Sequence, residues 1–552
     1  MSAGASPPRP PALHEPPPRQ LRILVSLFHS GYLRHYGEPI RLLAARGHRV
    51  HLALGRFDKD EGDAALLEQL LADCPAVSAE ATPLRPTLSG WRRIAWFARG
   101  MADYARYADP RYADATALRR RVGDQVRARL AAQRIDPLSR RALERLVDRI
   151  GATSDAELAR RWLRRFALLE EAIPSSRATL RLVRSFRPDA VLASPVVEVG
   201  SNQVDFLKVA QRLGVPCGVA VASWDNLTNK GLIRTAPDRV VVWNEAQVRE
   251  LEELHGIPRE RAVVTGAQRY DEWFERTPTR TAEELARRVG LDPARPFLLY
   301  VCSSPFVAPE EAPFVRRWLA ALRSAYDPRL RQAGVVVRPH PQNAAQWLDA
   351  DLSGLGNVAI WPRRGRMPDA GDDRADYFDC LAHAAAVVGI NTSALVEAAV
   401  VGRGTYTVLA PEFEGTQDGT LHFQYLRAEN GGVLHVARDL EEHLAHLGGA
   451  LDHPAADAGR TREFVSWFVR PHGLGTPAAP LVAAAIEELA QLEPSPAPRH
   501  AARFLLRPPL ALAAAAIGLA AGAGRLAERR GAGDGPEAES RARSAPATGA
   551  TK

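Results

Sequence analysis

Apolar positions along this chain fall into two alternating patterns. Short unbroken runs at Leu21 to Phe28, Val50 to Leu54, Asp189 to Ser194, Cys217 to Ala222, Arg239 to Trp243 and Ala262 to Thr265 have the length and aliphatic content of buried strands. Between several of them lie stretches of helical character: one closing at Arg46 before a Gly47-His48 stop, one over Ser201 to Leu213 and one over Glu245 to His255. Strand and helix in alternation predict a parallel sheet covered on both faces. From about Trp91 to Phe186 the alternation is interrupted by a long Arg-rich helical stretch.

A second alternating block begins with the run Pro296 to Val301. It continues through a helix over Ala312 to Tyr326 and a strand over Val335 to Arg338, and ends with a strand over Ala384 to Ile390, its helix, and a strand over Thr405 to Leu409. The chain is therefore expected to be α/β, with two doubly wound Rossmann-like domains facing a cleft. The expected divisions are a disordered N-terminus over 1–20, a first domain over 21–266 with its insertion at about 91–186, and a linker over 267–283. A second domain over 284–458 follows, then C-terminal helices over 459–493 and a tail over 494–552. The first βα turn lacks GxGxxG, which argues against a dinucleotide fingerprint.

Three motifs in the second block carry chemistry. The first is Val335-Val336-Val337-Arg338-Pro339-His340-Pro341, a strand ending in a proline-rigidified turn that fixes a cation and an imidazole. In the second, Asn391-Thr392-Ser393 leads into a helix with Glu397 one turn later. Backbone N–H groups and hydroxyls can then face phosphate oxygens while the carboxylate accepts ribose hydroxyls. The other reading of this motif is simple helix capping, although a capping box places Glu three residues after the cap and Glu397 is four after Ser393. The third motif is the loop Gly415 to Phe423, with Gln417, Thr420 and His422 as further hydrogen-bonding groups or as an ordinary surface connection.

Together these motifs and the order of elements, over about Leu21 to Leu492, resemble the GT-B-fold glycosyltransferases. The similarity is to the branch near CDP-glycerol glycerophosphotransferases, capsule-polysaccharide transferases and non-hydrolysing UDP-GlcNAc 2-epimerases. The resemblance implies a transferase that moves a sugar or polyol phosphate from a nucleotide-activated donor to a surface-glycan or lipid-linked acceptor. It further implies that Ser466 to Phe468 and the helix Ala479 to Leu492 cross back onto the first domain. Donor-nucleotide contacts would come from Arg338, His340, Asn391, Thr392, Ser393, Glu397, Gln417, Thr420 and His422. In the first domain His29, His35 and Asp225 are candidates for the base that takes the acceptor's proton. No metal or other cofactor is expected, because Asp372-Asp373 lies in a charged loop rather than at a strand end. The rivals are a nucleotide-sugar 2-epimerase, a GT-B protein that binds nucleotide or glycan without turnover, and an Arg-rich membrane or nucleic-acid adaptor.

Composition agrees with a soluble globular chain at 46% hydrophobic and 25% charged residues. Four scattered cysteines without a CxxC pair indicate neither a zinc site nor a disulfide framework, which suits a reducing cytoplasm. Charge is uneven: Arg92 to Arg149 holds fifteen Arg against seven acidic residues, a local excess equal to the whole chain's +8. That balance suits an anionic membrane surface, or else a solvated helical face in the Arg-rich proteome of a high-GC bacterium; no nucleic-acid module accompanies it. The uncharged stretch over 508–524, flanked by arginines, is short of the ~20 residues that span a bilayer. It reads as a peripheral anchor, a loosely attached helix or a span. Location is thus expected to be cytoplasmic, with attachment to the inner face of a membrane as an extension.

Overall fold

The computed structural model describes residues 19–531 apart from 58–61, 87–88, 134, 369–370, 454 and 496–500. The disorder expected over 1–20 falls almost wholly outside the described residues, as does the tail after Arg530. The first sheet contains β1 (Arg22–Leu27), β2 (Arg49–Leu54), β3 (Val77–Ala81), β4 (Ala190–Ser194), β5 (Cys217–Ala220), β6 (Arg239–Val242) and β7 (Ala262–Val264). All pairs are parallel and the order is β3-β2-β1-β4-β5-β6-β7. The second sheet contains β8 (Phe297–Val301), β9 (Gly334–Arg338), β10 (Val358–Ile360), β11 (Ala386–Gly389), β12 (Thr405–Val408) and β13 (Leu434–Ala437), again parallel, in the order β10-β9-β8-β11-β12-β13. These are two doubly wound α/β sheets. The order in which strands are added reverses between β1 and β4 and between β8 and β11, and the crevice beyond the carboxyl ends at such a switch point is where open α/β sheets take ligands.

Central strands such as β4, β8, β9 and β11 are buried throughout, which is why their apolar runs stand out in the sequence. The strands β3, β10 and β13 lie at sheet edges and are only partly buried, so their shorter, more polar runs carry no such signal.

The insertion between β3 and β4 is a helical subdomain running from the helix Gly90–Arg106 to the helix Arg177–Phe186. Buried ion pairs brace it and join it to the first-domain helix Val204–Leu213. Arg99 donates to both Glu170 oxygens at 2.8 and 2.9 Å, Arg85 pairs with Asp205 at 2.9 Å, and Lys208 reaches Glu170 at 2.9 Å. Hence the arginines read as a membrane-facing set divide. Arg99 and Arg106 are fully buried, Arg119 and Arg140 are spent on backbone carbonyls, and Arg120, Arg127, Arg141, Arg145 and Arg149 are exposed.

After the second sheet the chain returns to the first. Asn244 donates to the Phe468 carbonyl at 2.7 Å, and the Ala267 N–H donates to the Val469 carbonyl at 2.8 Å. The helix Ala478–Leu489 then buries Val482, Ile486 and Leu489 in the core under β1 and β2, and its Glu487 carboxylate meets His48 at 2.9 Å and Arg46 at 2.7 Å. The last helix, Ala502–Gly531, packs along the insertion helices Gly90–Arg106 and Ala156–Ala172. Gly90 permits this approach, since a methyl group there would collide with the Ala514 carbonyl. The outer side of this helix leaves Phe504, Leu505, Leu512 and Leu519 at 62–79% exposure. It is long and apolar enough over Arg503–Ala520 to cross a membrane by length and composition.

Candidate functional site

A cavity of about 300 Å³ opens between the two sheets, beyond the carboxyl ends of β5, β8, β9 and β11. The second domain supplies Ser304, Phe306, His340 and the turn Asn391-Thr392-Ser393; the first supplies Trp224, Asp225, Asn229, Lys230 and, from the insertion, Arg121. Of the residues proposed from sequence, Asp225, His340, Asn391, Thr392, Ser393 and His422 meet here.

His340 follows β9 in an extended conformation, and its Nδ1 accepts the Gln342 N–H at 3.1 Å. That bond occupies the Nδ1 lone pair, which places the neutral ring's proton on Nε2. The Ser393 side chain caps nothing in the short helix Ala394–Val400, so its hydroxyl is not consumed by local structure. Arg121 donates to the Asn229 backbone carbonyl at 3.0 Å and to its side-chain oxygen at 2.9 Å, and it stacks 3.8 Å from the Phe306 ring centre, so the insertion physically bridges the two domains. Lys230 pairs with Glu198 at 3.2 Å.

The loop that carries these first-domain groups is held from behind. Arg106, buried, donates to Tyr112 Oη at 2.6 Å, to the Lys230 and Gly231 carbonyls at 3.0 Å each, and to the Leu227 carbonyl. Asp103 accepts from the N–H groups of Gly200 at 3.1 Å and Leu232 at 2.8 Å.

Proton affinities in the cavity are low. Burial pushes the Asp225 carboxyl up, but Lys230, His422 and hydrogen bonds from Ser223 and Asn229 outweigh it and hold the group below the usual carboxylate range. His422 is pushed down to about 4 by burial, only partly offset by Asp225. Its Nδ1 lies 3.0 Å from the Thr228 hydroxyl and its ring stands edge-on to Trp224 at 4.7 Å. Both groups are weak bases at neutral pH. At neutral pH the cavity thus holds an ionised carboxylate beside a neutral imidazole.

Several sequence candidates sit elsewhere. Glu397 is buried, with its carboxylate on Arg269 at 3.2 Å and on the Tyr377 hydroxyl, so ribose would have to displace one of these partners. Burial raises its pKa despite Arg269 and Tyr377. Arg338 stacks on Tyr377 at 4.1 Å behind the cavity wall, with its Nη1 buried and unpartnered. Gln417 is spent internally, donating to Thr407 Oγ1 and the Val408 carbonyl at 3.0 Å each. Its own carbonyl and Thr420 Oγ1 receive the Asn391 amide at 2.8 and 3.3 Å. Gln417 and Thr420 therefore position the Asn391 turn and do not line the cavity. His29 lies beside Asp63 at 3.8 Å and does not line the cavity, and His35 is held well below its usual pKa by burial and by Arg269 and Arg34.

Sequence reasoning missed Arg121, Lys230, Asn229, Trp224 and Ser304 to Phe306. The last follow the apolar run of β8 directly, where the carboxyl-end rule points; Arg121 is one of fifteen arginines in its segment and gives no local sign. Among the described residues no cluster of three or more His, Cys, Asp or Glu is arranged to hold a metal ion.

No family model and no curated protein sequence matches the chain. Solved structures that resemble it in layout include a UDP-GlcNAc 2-epimerase from Neisseria meningitidis bound to UDP-GlcNAc, with a TM-score of 0.46 at 11% identity over 85% of this chain and 100% of that one. A glycosyltransferase from Rickettsia africae gives 0.47 at 9% identity, over 86% and 99%. WaaG, a glycosyltransferase involved in lipopolysaccharide biosynthesis, gives 0.42 at 13%, over 84% and 99%. At these values the sheet orders themselves, not the likenesses, establish the architecture.

Proposed function

We propose that the protein is a GT-B-type transferase that takes a nucleotide-activated sugar or polyol phosphate and passes the group to a glycan or lipid-linked acceptor. The observation that carries this reading is the convergence of Arg121, Lys230, His340 and the Asn391-Thr392-Ser393 turn on one interdomain cavity at a topological switch point. The transition state of such a transfer builds negative charge on the departing diphosphate. Fixed donors and cations in a partly dehydrated site stabilise that charge, each donor by roughly 3 kcal/mol. The cavity's ~300 Å³ is at the low end for small-molecule sites, enough for the diphosphate and transferred group. The nucleoside then lies toward Glu397, which exchanges Arg269 for the ribose as the donor enters. The acceptor hydroxyl enters from the Asp225 and His422 side.

The exposed leucines of the last helix recur at seven-residue intervals, Leu505, Leu512 and Leu519, and so form one stripe two helical turns apart, flanked by Arg503 and Arg507. That stripe suits an interfacial helix resting on anionic lipid, which puts the enzyme at a membrane surface where a lipid-linked acceptor resides.

Nucleotide binding is the test. CDP, UDP, GDP and ADP at ~100 times Kd would each stabilise a binding protein by about 2.7 kcal/mol. One nucleotide is expected to raise the thermal midpoint of the protein and to lose most of that effect in His340→Ala. No shift with any nucleotide would refute the reading.

A further inference from the structure

The first sheet has a switch point of its own, between β1 and β4, and a second cavity of about 510 Å³ sits over it, roofed by the insertion. Its floor is ordered by Gln203, whose side chain donates to the Ser26 carbonyl at 3.0 Å and the Ser194 carbonyl at 2.8 Å and accepts the Val196 N–H at 3.2 Å, tying β1 to the segment after β4. Four guanidinium groups line it: Arg56 beyond β2, Arg92 and Arg93 from the helix Gly90–Arg106, and Arg129 from the helix Thr116–Ala131. No carboxylate is among the described lining residues.

Elsewhere in the insertion, buried arginines have acidic or carbonyl partners, as Arg99 and Arg106 show. Here Arg56, Arg93 and Arg129 have no carboxylate partner among the described residues, and Arg93 Nη1 is buried with no hydrogen-bond acceptor. Arg129 stacks on Trp96 at 4.1 Å, an arrangement that fixes the direction of its planar fork. Like charges lining one cavity repel one another, and a buried donor left without an acceptor is unfavourable. An anion in the cavity removes both penalties.

We propose that this cavity binds a phosphate or diphosphate group borne by an organic molecule. Guanidinium forks match phosphate oxygens bidentately, and four of them call for more than one negative charge. The volume exceeds what a bare phosphate fills, and Trp96 and Leu84 offer the attached group an apolar wall. The first turn of the helix Gly90–Arg106, which carries Arg92 and Arg93, is also where the last helix packs through Ala514. Calling the occupant the acceptor rests on the transferase reading; anion binding does not.

The test is calorimetric titration of the full-length protein with inorganic pyrophosphate in a His340→Ala background, which removes an interdomain-cleft donor. Arg93→Gln and Arg129→Gln are expected to weaken binding at least tenfold each, with thermal midpoints of the unliganded protein no lower than the parent's, since each change relieves like-charge repulsion. Arg129→Lys should retain part of the affinity, and Arg141→Gln, on an exposed helix face, all of it. Absent binding, or binding that these arginine variants leave unaltered, overturns the proposal. A second arm offers vesicles with a phosphomonoester lipid in phosphatidylcholine. Capture that depends on Arg93 supports a membrane-borne headgroup as the ligand, whereas pyrophosphate binding without such capture supports a soluble phosphorylated one. Arg93-dependent binding in a protein that binds no nucleotide supports the anion site and refutes the transferase reading alone.

Discussion

Replacing Arg106 with methionine should damage the interdomain cavity without touching any ligand. The guanidinium serves four acceptors, but two have other partners: the Lys230 carbonyl also receives the Tyr107 hydroxyl at 3.0 Å, and the Leu227 carbonyl faces His255 Nε2 at 2.9 Å. The change therefore orphans the Gly231 carbonyl and removes the partner of Tyr112 Oη. At about 1–3 kcal/mol for each buried group left unsatisfied, the gross loss is roughly 2–6 kcal/mol. Removing a buried cation returns part of it, and Asp103 keeps its pairing with Arg234. A net destabilisation of about 3 kcal/mol is expected, read as a lower urea midpoint at unchanged slope. Because Asn229 and Lys230 sit on the loosened loop, nucleotide affinity should fall as well. Arg145→Met, at an exposed position, is the control and should change neither. A loss below about 1 kcal/mol together with unchanged nucleotide affinity would refute the view that buried insertion arginines build the cleft.

Two other outcomes follow from the same physics. Glu311 accepts the Ser303 N–H at 2.8 Å and the Tyr300 hydroxyl at 3.1 Å, yet burial lifts its pKa from 4.5 to about 8. The folded state then binds more protons than the unfolded one between these values, so stability falls as pH rises from 5 to 8, at about 1.4 kcal/mol for each unit of displacement. Glu311→Gln keeps the shape, and its urea midpoints at pH 5 and pH 8 should differ less than those of the parent; an undiminished difference would show the carboxyl to be ionised throughout. For the last helix, flotation with phosphatidylglycerol vesicles should carry the full chain, and Leu505→Glu/Leu512→Glu should abolish it; equal flotation of both would remove that helix as the anchor.

The legible and illegible parts of this chain differ in what enforces them. Runs such as Phe297 to Val301 and Val335 to Val337 are apolar on both sides of the strand because helices cover both faces, so burial writes itself into consecutive residues. The two-sheet α/β class was readable for that reason, whereas Val358 to Ile360, three partly buried residues at an edge, left no comparable mark. At the site, short-range geometry was readable: His340 between its prolines and the Asn391-Thr392-Ser393 turn face the cavity. Partnerships across the chain were not. Glu397 meets Arg269 from 128 residues away and Gln417 is consumed by β12, facts set by how the domains close and not by any local spacing. The charge excess of Arg92 to Arg149 is coarse in the same way, since a count cannot distinguish Arg106, folded inward on carbonyls, from Arg145 in water.

The chain passes between its domains twice, and the two passages are laced together. Asp271, on the outbound one, accepts from the Ala478 and Ala479 N–H groups of the return at 3.0 and 2.7 Å and from Arg470 at 2.9 Å, while Ala267 and Asn244 hold the Val469 and Phe468 carbonyls. A single connector would leave the halves free to swivel about it. Two parallel connectors bonded side by side act as a door hinge does: they allow opening about the line that joins them and resist twist. Arg121 and Phe306 would then part and rejoin along one arc, returning the cavity's two walls to the same register at every closure.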